Sequence, residues 1–316
     1  MTLDERIRID LAACLYGNPI EAAAKLAPLA KDGQGFQFST LGMPTYFTGD
    51  RDAQTVFVQL NPGMKADWAD ERWDFDTRDF RESNFAEDYI KSRENYGLND
   101  RFRYDSFDVK QAAFLYGWRD SGIQFKEGIE WDPIKDKKSN KNDEEKAKDR
   151  EDLAKLRQTS WLYAKERVLM DKLQLELIPY ASRKFAINME NISLLDEYVE
   201  IMMQEIFRVP RTYVIFGGDV FEKIFKRYRN NNQGNTFWIE DLTKKESIVT
   251  TNFIKSDGDP WKAALNYKVI MIHYPGKEPQ KAIIAHTFPN QALGNAFNIM
   301  YEYGKACHDA FKKTNS

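Results

Sequence analysis

Apolar residues recur along this chain with two distinct periods. In "DERIRIDLAACLYG" the positions Ile7, Leu11, Cys14 and Leu15 fall on one side of a 3.6-residue repeat, which predicts a helix. "NPIEAAAKLAPLAKDG" predicts an Ala-rich helix stopped near Gly33. "FQFSTLGMPTYFTGD" predicts a hairpin-like pair of short strands around Gly42-Met43-Pro44. "TVFVQL" is apolar on both alternating faces, the pattern of a central strand covered by helices on both sides. "LQLELIPYAS" predicts a second strand ending at Pro179, and "SLLDEYVEIMMQEIFRVP" a helix opened by Ser193 and closed before Pro210. "TYVIFGGD" is a third buried strand ending in Gly217-Gly218, with Asp219 placed to cap the helix "VFEKIFKRYRN". "YKVIMIHYPG" and "KAIIAHTFPN" supply two more strands. The closing helix "LGNAFNIMYEYGKACHDAFKK" carries Phe297, Met300, Cys307 and Phe311 on roughly one side.

Strands alternating with helices predict an α/β fold with a mostly parallel sheet and helices on both faces. Ligands of such sheets bind beyond the carboxyl ends of the strands, where the strand order switches. The places to look are therefore the strand ends "NPGM", "PYAS", "GGDV", "HYPG" and "HTFPN". One stretch stands outside the pattern: "DPIKDKKSNKNDEEKAKDREDLAKLR" interleaves charges with almost no apolar residue before Leu153. It reads as a solvated loop running into an exposed helix, a charged insertion at about 134–157 in a single domain spanning 1–316.

Composition narrows the function classes. The 316 residues are 42% hydrophobic and 30% charged, which is globular rather than disordered. A net charge of −3 gives no overall attraction to phosphate, so binding to nucleic acid requires a local basic patch. The two cysteines, Cys14 and Cys307, form no disulfide framework or zinc spacing and suit a reducing compartment. No Asp/Glu/His cluster has metal-ligand spacing, so neither a metal nor a cofactor is expected. The apolar runs are too short to span a bilayer, and Asp4, Glu5 and Asp10 spoil a signal peptide. The expected setting is cytoplasmic, with no membrane partner.

The strand ends carry the candidate chemistry. Asn61 offers an amide donor pair and a carbonyl acceptor without charge, so it holds a water or reads a polar edge but is no strong base. Pro62 stiffens the turn and Gly63 lets a ligand approach the main chain. Asn, Pro and Gly are also ordinary turn residues, and a purely structural turn satisfies the same pattern. "FGGD" joins a strand to a helix in a geometry suited to an anion, but it lacks both the dinucleotide-binding spacing and a P-loop Lys. His273 and His286 each end an apolar strand before a Pro-containing turn. A neutral imidazole there can donate to a developing oxyanion. His308 sits in the closing helix as a structural or exposed residue.

Taken in order, a strand ending in "VQLNPG", a strand–turn–helix "YVIFGGDVFEKIF" and a final "IIAHTFPNQALGNAF" resemble three short stretches of the uracil-DNA glycosylase superfamily. The first is closest to the mismatch-specific uracil/thymine branch, where Asn replaces the Asp of other branches. The resemblance covers about residues 54–304 and implies a three-layer α/β/α sandwich around a mostly parallel four-stranded sheet. It further implies a metal-free hydrolase that flips a damaged or mismatched base out of DNA and cleaves its N-glycosidic bond. On that reading Asn61 positions the hydrolytic water and His286 hydrogen-bonds the base oxygen as it turns anionic. Gln59, Pro62, Gly63 and Gly217 line the substrate pocket. The flipped base stacks on Trp68, Trp73 or Phe75, with Trp73 or Phe75 preferred by distance along the chain.

Departures from the family pattern are visible. His286 is followed by Thr287-Phe288 rather than Pro-Ser, and Asn290 stands where an aliphatic wedge is usual, leaving Phe288 as a wedge candidate. The first motif has no carboxylate base. DNA would be a partner through a local patch drawn from Lys65, Arg72, Lys277 and Lys281. A non-catalytic nucleic-acid or nucleotide binder on the same fold is the alternative, and an unrelated α/β protein holding a phosphate at "FGGD" a third.

Overall fold

The computed structural model describes residues 1–29, 38–40, 42–62, 84–94, 111, 113–115, 117–118, 144, 172–182, 187–229, 236–249, 264–287 and 297–314. These build one α/β sheet of eight strands. The strands are β1 (Phe47–Gly49), β2 (Thr55–Gln59), β3 (Lys172–Glu176), β4 (Tyr213–Gly217), β5 (Trp238–Asp241), β6 (Glu246–Val249), β7 (Ala264–His273) and β8 (Gln280–Ala285). The helices are α1 (Leu3–Leu15), α2 (Glu21–Lys25), α3 (Phe85–Glu94), α4 (Asp196–Ile206), α5 (Val220–Phe225) and α6 (Phe297–Lys313). Residues 111, 113–115 and 117–118 are also helical.

The order across the sheet is β1-β3-β2-β4-β8-β7-β5, with β6 also paired to β7. β3, β2, β4 and β8 run parallel to one another. β1 is antiparallel to β3, and β7 is antiparallel to β8, β5 and β6. The expected four-stranded sheet is thus corrected: the parallel strands form the inner ribbon of a wider, mixed sheet. Connection length explains the antiparallel flank. Residues 274–279 join β7 to β8, far too few for a parallel crossover. Apolar alternation looks the same in either direction, so the sequence pattern could not tell them apart.

The expected hairpin around Gly42-Met43-Pro44 is also corrected. Phe38 bridges Ser182, while β1 pairs with β3, so both pieces attach to the β3 side rather than to each other. The Ala-rich helix stops at Lys25 and is followed by a 3-10 turn, Ala27–Leu29, around Pro28; Gly33 lies outside the described residues. α4 is preceded by a 3-10 stretch, Met189–Leu195, whose N-cap is Asn188, with its side chain accepting from the Glu190 N–H. Asn188 therefore opens this segment in place of Ser193.

Two cores sandwich the sheet. On one face Val56, Val58, Val214, Phe216 and Ile284 pack against Ile7 and Leu11 of α1, Met203 of α4 and Phe221 and Phe225 of α5. On the other, Phe57, Ile215, Ile283 and Ala285 pack against Phe114, Trp118 and the α6 residues Met300, Tyr303 and Cys307. All of Thr55–Gln59 is buried, as the two-faced apolar pattern of "TVFVQL" requires. Gly117 and Gly304 face each other where the 111–118 segment crosses α6. A Cβ on either would overlap the partner's backbone carbonyl, Tyr301 O or Phe114 O.

Buried polar anchors then lock the frame. Asp10 of α1 accepts from Tyr46 and, at 2.5 Å, from Tyr180 in the turn after β3. Burial pushes the Asp10 carboxyl above its ordinary value. At the opposite end Arg211 donates to the carbonyls of Ala53, Ile206 and Glu205, tying the start of β2 to the C-terminus of α4.

Candidate functional site

From β2 the chain moves to β3 on one side, then returns to β4 on the other side of β2 and continues outward to β8. The connections leaving β2 and β4 diverge, so the switch point lies at the carboxyl ends of this adjacent pair. Asn61 follows β2 there, Gly217 ends β4, and His286 follows β8 one strand further. Cross-strand register places Val58 beside Phe216 and Gly217 beside Ala285. Asn61 and His286 therefore lie on the same edge of the sheet, two strand spacings or about 10 Å apart in backbone position.

The Asn61 amide is oriented by its surroundings. The chain after β3 follows the chain after β2, with Leu177, Ile178 and Ser182 N–H groups donating to Gln59, Leu60 and Pro62 carbonyls. Against this paired turn Asn61 Nδ2 donates to Pro62 O at 3.1 Å, Tyr180 O at 3.4 Å and Ser182 Oγ at 2.7 Å. Two of these acceptors are carbonyl oxygens, which only accept, so the NH2 group must face them. The Asn61 Oδ1 is left with no donor among the described residues.

Two residues before Asn61, at the end of β2, Gln59 sits in register with Glu176 of β3. Both side chains are buried, and Gln59 Nε2 and Glu176 Oε2 have no hydrogen-bond partner among the described residues. The other carboxyl oxygen of Glu176, Oε1, accepts from Gln174 Nε2 at 2.7 Å. Burial pushes the Glu176 carboxyl up to about 8, against the lowering influence of the Gln174 hydrogen bond and Lys172. Sequence reading included Gln59 but missed Glu176 and Ser182. The available signal was a carboxylate at the end of the alternating strand "LQLELI".

The His286 end is built differently. His286 Nε2 meets Glu222 Oε2 of α5 at 2.6 Å, and its backbone N–H donates to Asn266 O. An ionised carboxylate only accepts, so Nε2 carries the proton and the neutral ring presents a bare lone pair at Nδ1. That Nδ1 is buried with no partner among the described residues. Burial lowers the imidazole's pKa, with the Glu222 contact opposing. Burial raises the Glu222 carboxyl, but His286, Lys268 and Arg229 outweigh it and hold it below its ordinary value. Lys268 Nζ also pairs with Asp241 at 2.7 Å, and Arg229 pairs with Asp241 at 3.0 Å. Thr287 pins this turn: its Oγ1 accepts from the Asn266 N–H and its N–H donates to Tyr303 Oη.

Between the two ends, Gly218 adopts φ 120, a left-handed backbone suited to glycine. Asp219 precedes α5 but makes no capping hydrogen bond; its carboxylate pairs with Lys223 at 2.6 Å. The capping role expected for Asp219 is therefore corrected. α5 has only six residues, so its N-terminus is a weak anion site.

Other expected residues fall elsewhere. His273 ends β7, which is antiparallel, and so lies at the amino ends of the parallel strands; there it stacks on Trp238 with ring centroids 3.7 Å apart. His308 is buried against Trp118 and Tyr213. Lys277, in the β7–β8 turn, and Lys281, which donates to Phe311 O, also lie at the amino ends. They are thus corrected as members of a basic patch beside Asn61 and His286. Gly63, Lys65, Trp68, Arg72, Trp73, Phe75, Phe288, Asn290 and, apart from the exposed helical residue Glu144, the 134–157 insertion lie outside the described residues. Among the described residues no group of three or more His, Cys, Asp or Glu is placed to hold a metal, and no helix is long and apolar enough to cross a membrane. Comparison with protein-family models, curated proteins and solved structures finds no match.

Proposed function

We propose that this protein is a nucleobase-recognising hydrolase of the uracil-DNA glycosylase type, acting on a flipped damaged or mismatched base. The observation that carries this reading is the position of Asn61. It follows the first parallel strand at the switch point, its amide N–H groups are consumed by the protein, and its Oδ1 has no donor among the described residues. Support comes from the "VQLNPG", "FGGDVF" and "AHTFPN" order and from four parallel strands covered on both faces.

In the proposed reaction water forms a bond to C1′ of the sugar as the C1′–N bond breaks, and the bond's electron pair leaves with the base. Asn61 Oδ1 accepts a hydrogen bond from the water and aims its lone pair at C1′. The base oxygen gains negative charge, and His286 supports it from Nδ1, the nitrogen that Glu222 leaves available. That donation requires the imidazolium form, which corrects the expected neutral donor; burial outweighs the Glu222 contact and lowers the imidazole's pKa, so this support strengthens in acidic solution. The water's second proton finally resides on the base.

The alternative, a binder of a nucleoside or nucleotide without hydrolysis, is favoured by one observation. Lys268 and Arg229 near His286 are already paired with Glu222 and Asp241, which leaves them little positive charge to offer a duplex. The deciding test is an alkali-revealed cleavage assay on single- and double-stranded oligonucleotides carrying uracil, thymine mismatches, hypoxanthine or alkylated bases. Wild type should generate abasic sites on at least one substrate, with Asn61→Ala and His286→Ala impaired. No abasic site from any substrate at high protein concentration sinks the hydrolase reading.

A further inference from the structure

We propose that the bulge between β5 and β6 is a phosphate-binding ledge, on which Lys244 and Lys245 hold the backbone of a single nucleic-acid strand beside His286. The choice of nucleic acid as the anion rests on the function proposed above. The ledge itself rests on the antiparallel flank of the sheet, which the four-stranded fold implied by the resemblance does not include.

β5 and β6 are two halves of one strand along β7. In the first half Asp241 stands opposite Ile270, and in the second Glu246 stands opposite Tyr267. Residues 242–245 therefore face only Lys268 and Val269, so the strand bulges outward there. The bulge is held by hydrogen bonds. Leu242 and Thr243 N–H groups both donate to Val269 O, at 3.0 and 3.2 Å, and Thr243 Oγ1 accepts from the Val269 N–H at 3.1 Å. Lys244 and Lys245 follow this knot. Both are exposed, and neither forms an ion pair among the described residues.

Pairing also fixes where the bulge sits. Tyr267 is opposite Ala285, and the His286 N–H donates to Asn266 O. Glu246, opposite Tyr267, is thus level with the end of β8 and two strand spacings from it, about 10 Å in backbone position. Glu246 accepts from Tyr267 Oη at 3.0 Å on the α6 face of the sheet. Alternation turns Lys245 to the opposite face, where Lys268, Glu222 and His286 meet. Asn61, Gly217, His286 and the bulge therefore follow one another along the same edge of the sheet.

Charge on this edge points to a phosphate. Lys223 is paired with Asp219, while Lys268 and Arg229 share Glu222 and Asp241. Lys244 and Lys245 keep their charge, and two neighbouring ammonium groups repel each other until an anion reaches both. Successive phosphates of one strand do so. With a net charge of −3 the chain offers no general attraction to a duplex, so a narrow ledge suits one backbone. Lys245 is also among the groups that lower the His286 imidazole, and a phosphate beside it screens that influence. Lysines on a bulged edge strand can instead serve to block pairing with another chain, and the two roles separate on testing.

Fluorescence anisotropy of the full chain with a short labelled oligothymidylate, read across salt concentration, tests the ledge. Log affinity should fall linearly with log salt, and Lys244→Ala and Lys245→Ala should each flatten that slope by about 0.7, the share of one phosphate contact on a single strand. At about 0.1 M salt the same contact is worth roughly fivefold in affinity. Lys277→Ala removes an exposed lysine at the opposite edge and should change neither quantity. No binding by wild type, an unchanged slope in both bulge variants, or an equal loss in Lys277→Ala overturns the ledge. Tighter binding of a duplex than of the single strand overturns it as well. Self-association of the Lys244→Ala/Lys245→Ala double variant at wild-type affinity makes the lysines edge guards and overturns the proposal. Wild-type cleavage of a uracil-bearing single strand by that double variant overturns the ledge and leaves the hydrolase reading intact. Salt-dependent binding that needs both lysines, without cleavage of any substrate, keeps the ledge and removes the hydrolase.

Discussion

The two ends of the candidate site obey opposite rules. At the β2–β3 end the side chains are uncharged or neutralised by burial, and Gln59, Glu176 and Asn61 each keep one polar atom open among the described residues. At the β8 end Glu222 ties His286, Lys268 and Arg229 into a network with Asp241, in which the charges are largely matched. The first region gives up stability to keep hydrogen-bonding capacity; the second uses ionic contacts to hold one imidazole in one orientation. A site that must grip a ligand and steady a proton needs both.

Breaking the matched end should have the largest effect on stability. Glu222→Leu leaves Lys268, whose side chain is 8% exposed, without one of its two carboxylates and frees His286. It should lower unfolding free energy by about 2 kcal/mol, read by urea denaturation, because a nearly buried cation loses a partner. Asn61→Ala should act on turnover rather than on folding. The expected loss is about 100-fold in cleavage, the scale of removing one preorganised polar group, with a Tm close to wild type.

The two ends should also respond to pH in opposite directions. Glu176 has a folded pKa of about 8 against a reference value of 4.5. Between those values the folded state holds one more proton than the unfolded state, so its contribution is full at low pH and is lost as pH rises toward about 8. The slope is at most about 1.4 kcal/mol per pH unit and should vanish in Glu176→Gln. His286 and Glu222 both have lowered pKa values, from references of 6.5 and 4.5. Their contributions are present above those references and are lost as pH falls through the folded values. Comparing wild type, Glu176→Gln and His286→Ala by denaturation across pH separates the two limbs. A single limb shared by all three proteins refutes the division.

The smallest effect is expected from Gln59→Leu. Replacing a buried amide that lacks a partner should raise stability by about 1 kcal/mol while weakening ligand binding. Lower stability with unchanged binding would mean that Gln59 is structural.

Much of this arrangement was legible in the pattern. "TVFVQL", "TYVIFGG" and "KAIIAH" announce buried strands through apolar residues on both faces, and their Asn, Gly and His ends mark one edge of a parallel sheet. The antiparallel flank was not legible, because β7 carries the same alternation as a parallel strand would, while the short β5, WIED, and β6 were not read as strands at all. Nor were Glu176 and Glu222: one is a charged residue inside a strand, the other an ordinary helix residue four places after Gly218, and neither spacing names a partner.

By itself, then, the sequence determined where β2, β3, β4, β7, β8 and the longer helices α1, α4 and α6 form, that the sheet is covered on both faces, and that Asn61 and His286 end strands; β5, β6 and α3 were not read from it. Those outcomes depend on local periodicity and turn chemistry. Only the tertiary structure decided which residues meet. It set Gln59 beside Glu176, closed Glu222 onto His286, and sent His273, Lys277 and Lys281 to the opposite edge. Strand direction and register are properties of pairing between distant segments, and burial, which sets the protonation of Glu176 and His286, exists only once those segments have packed.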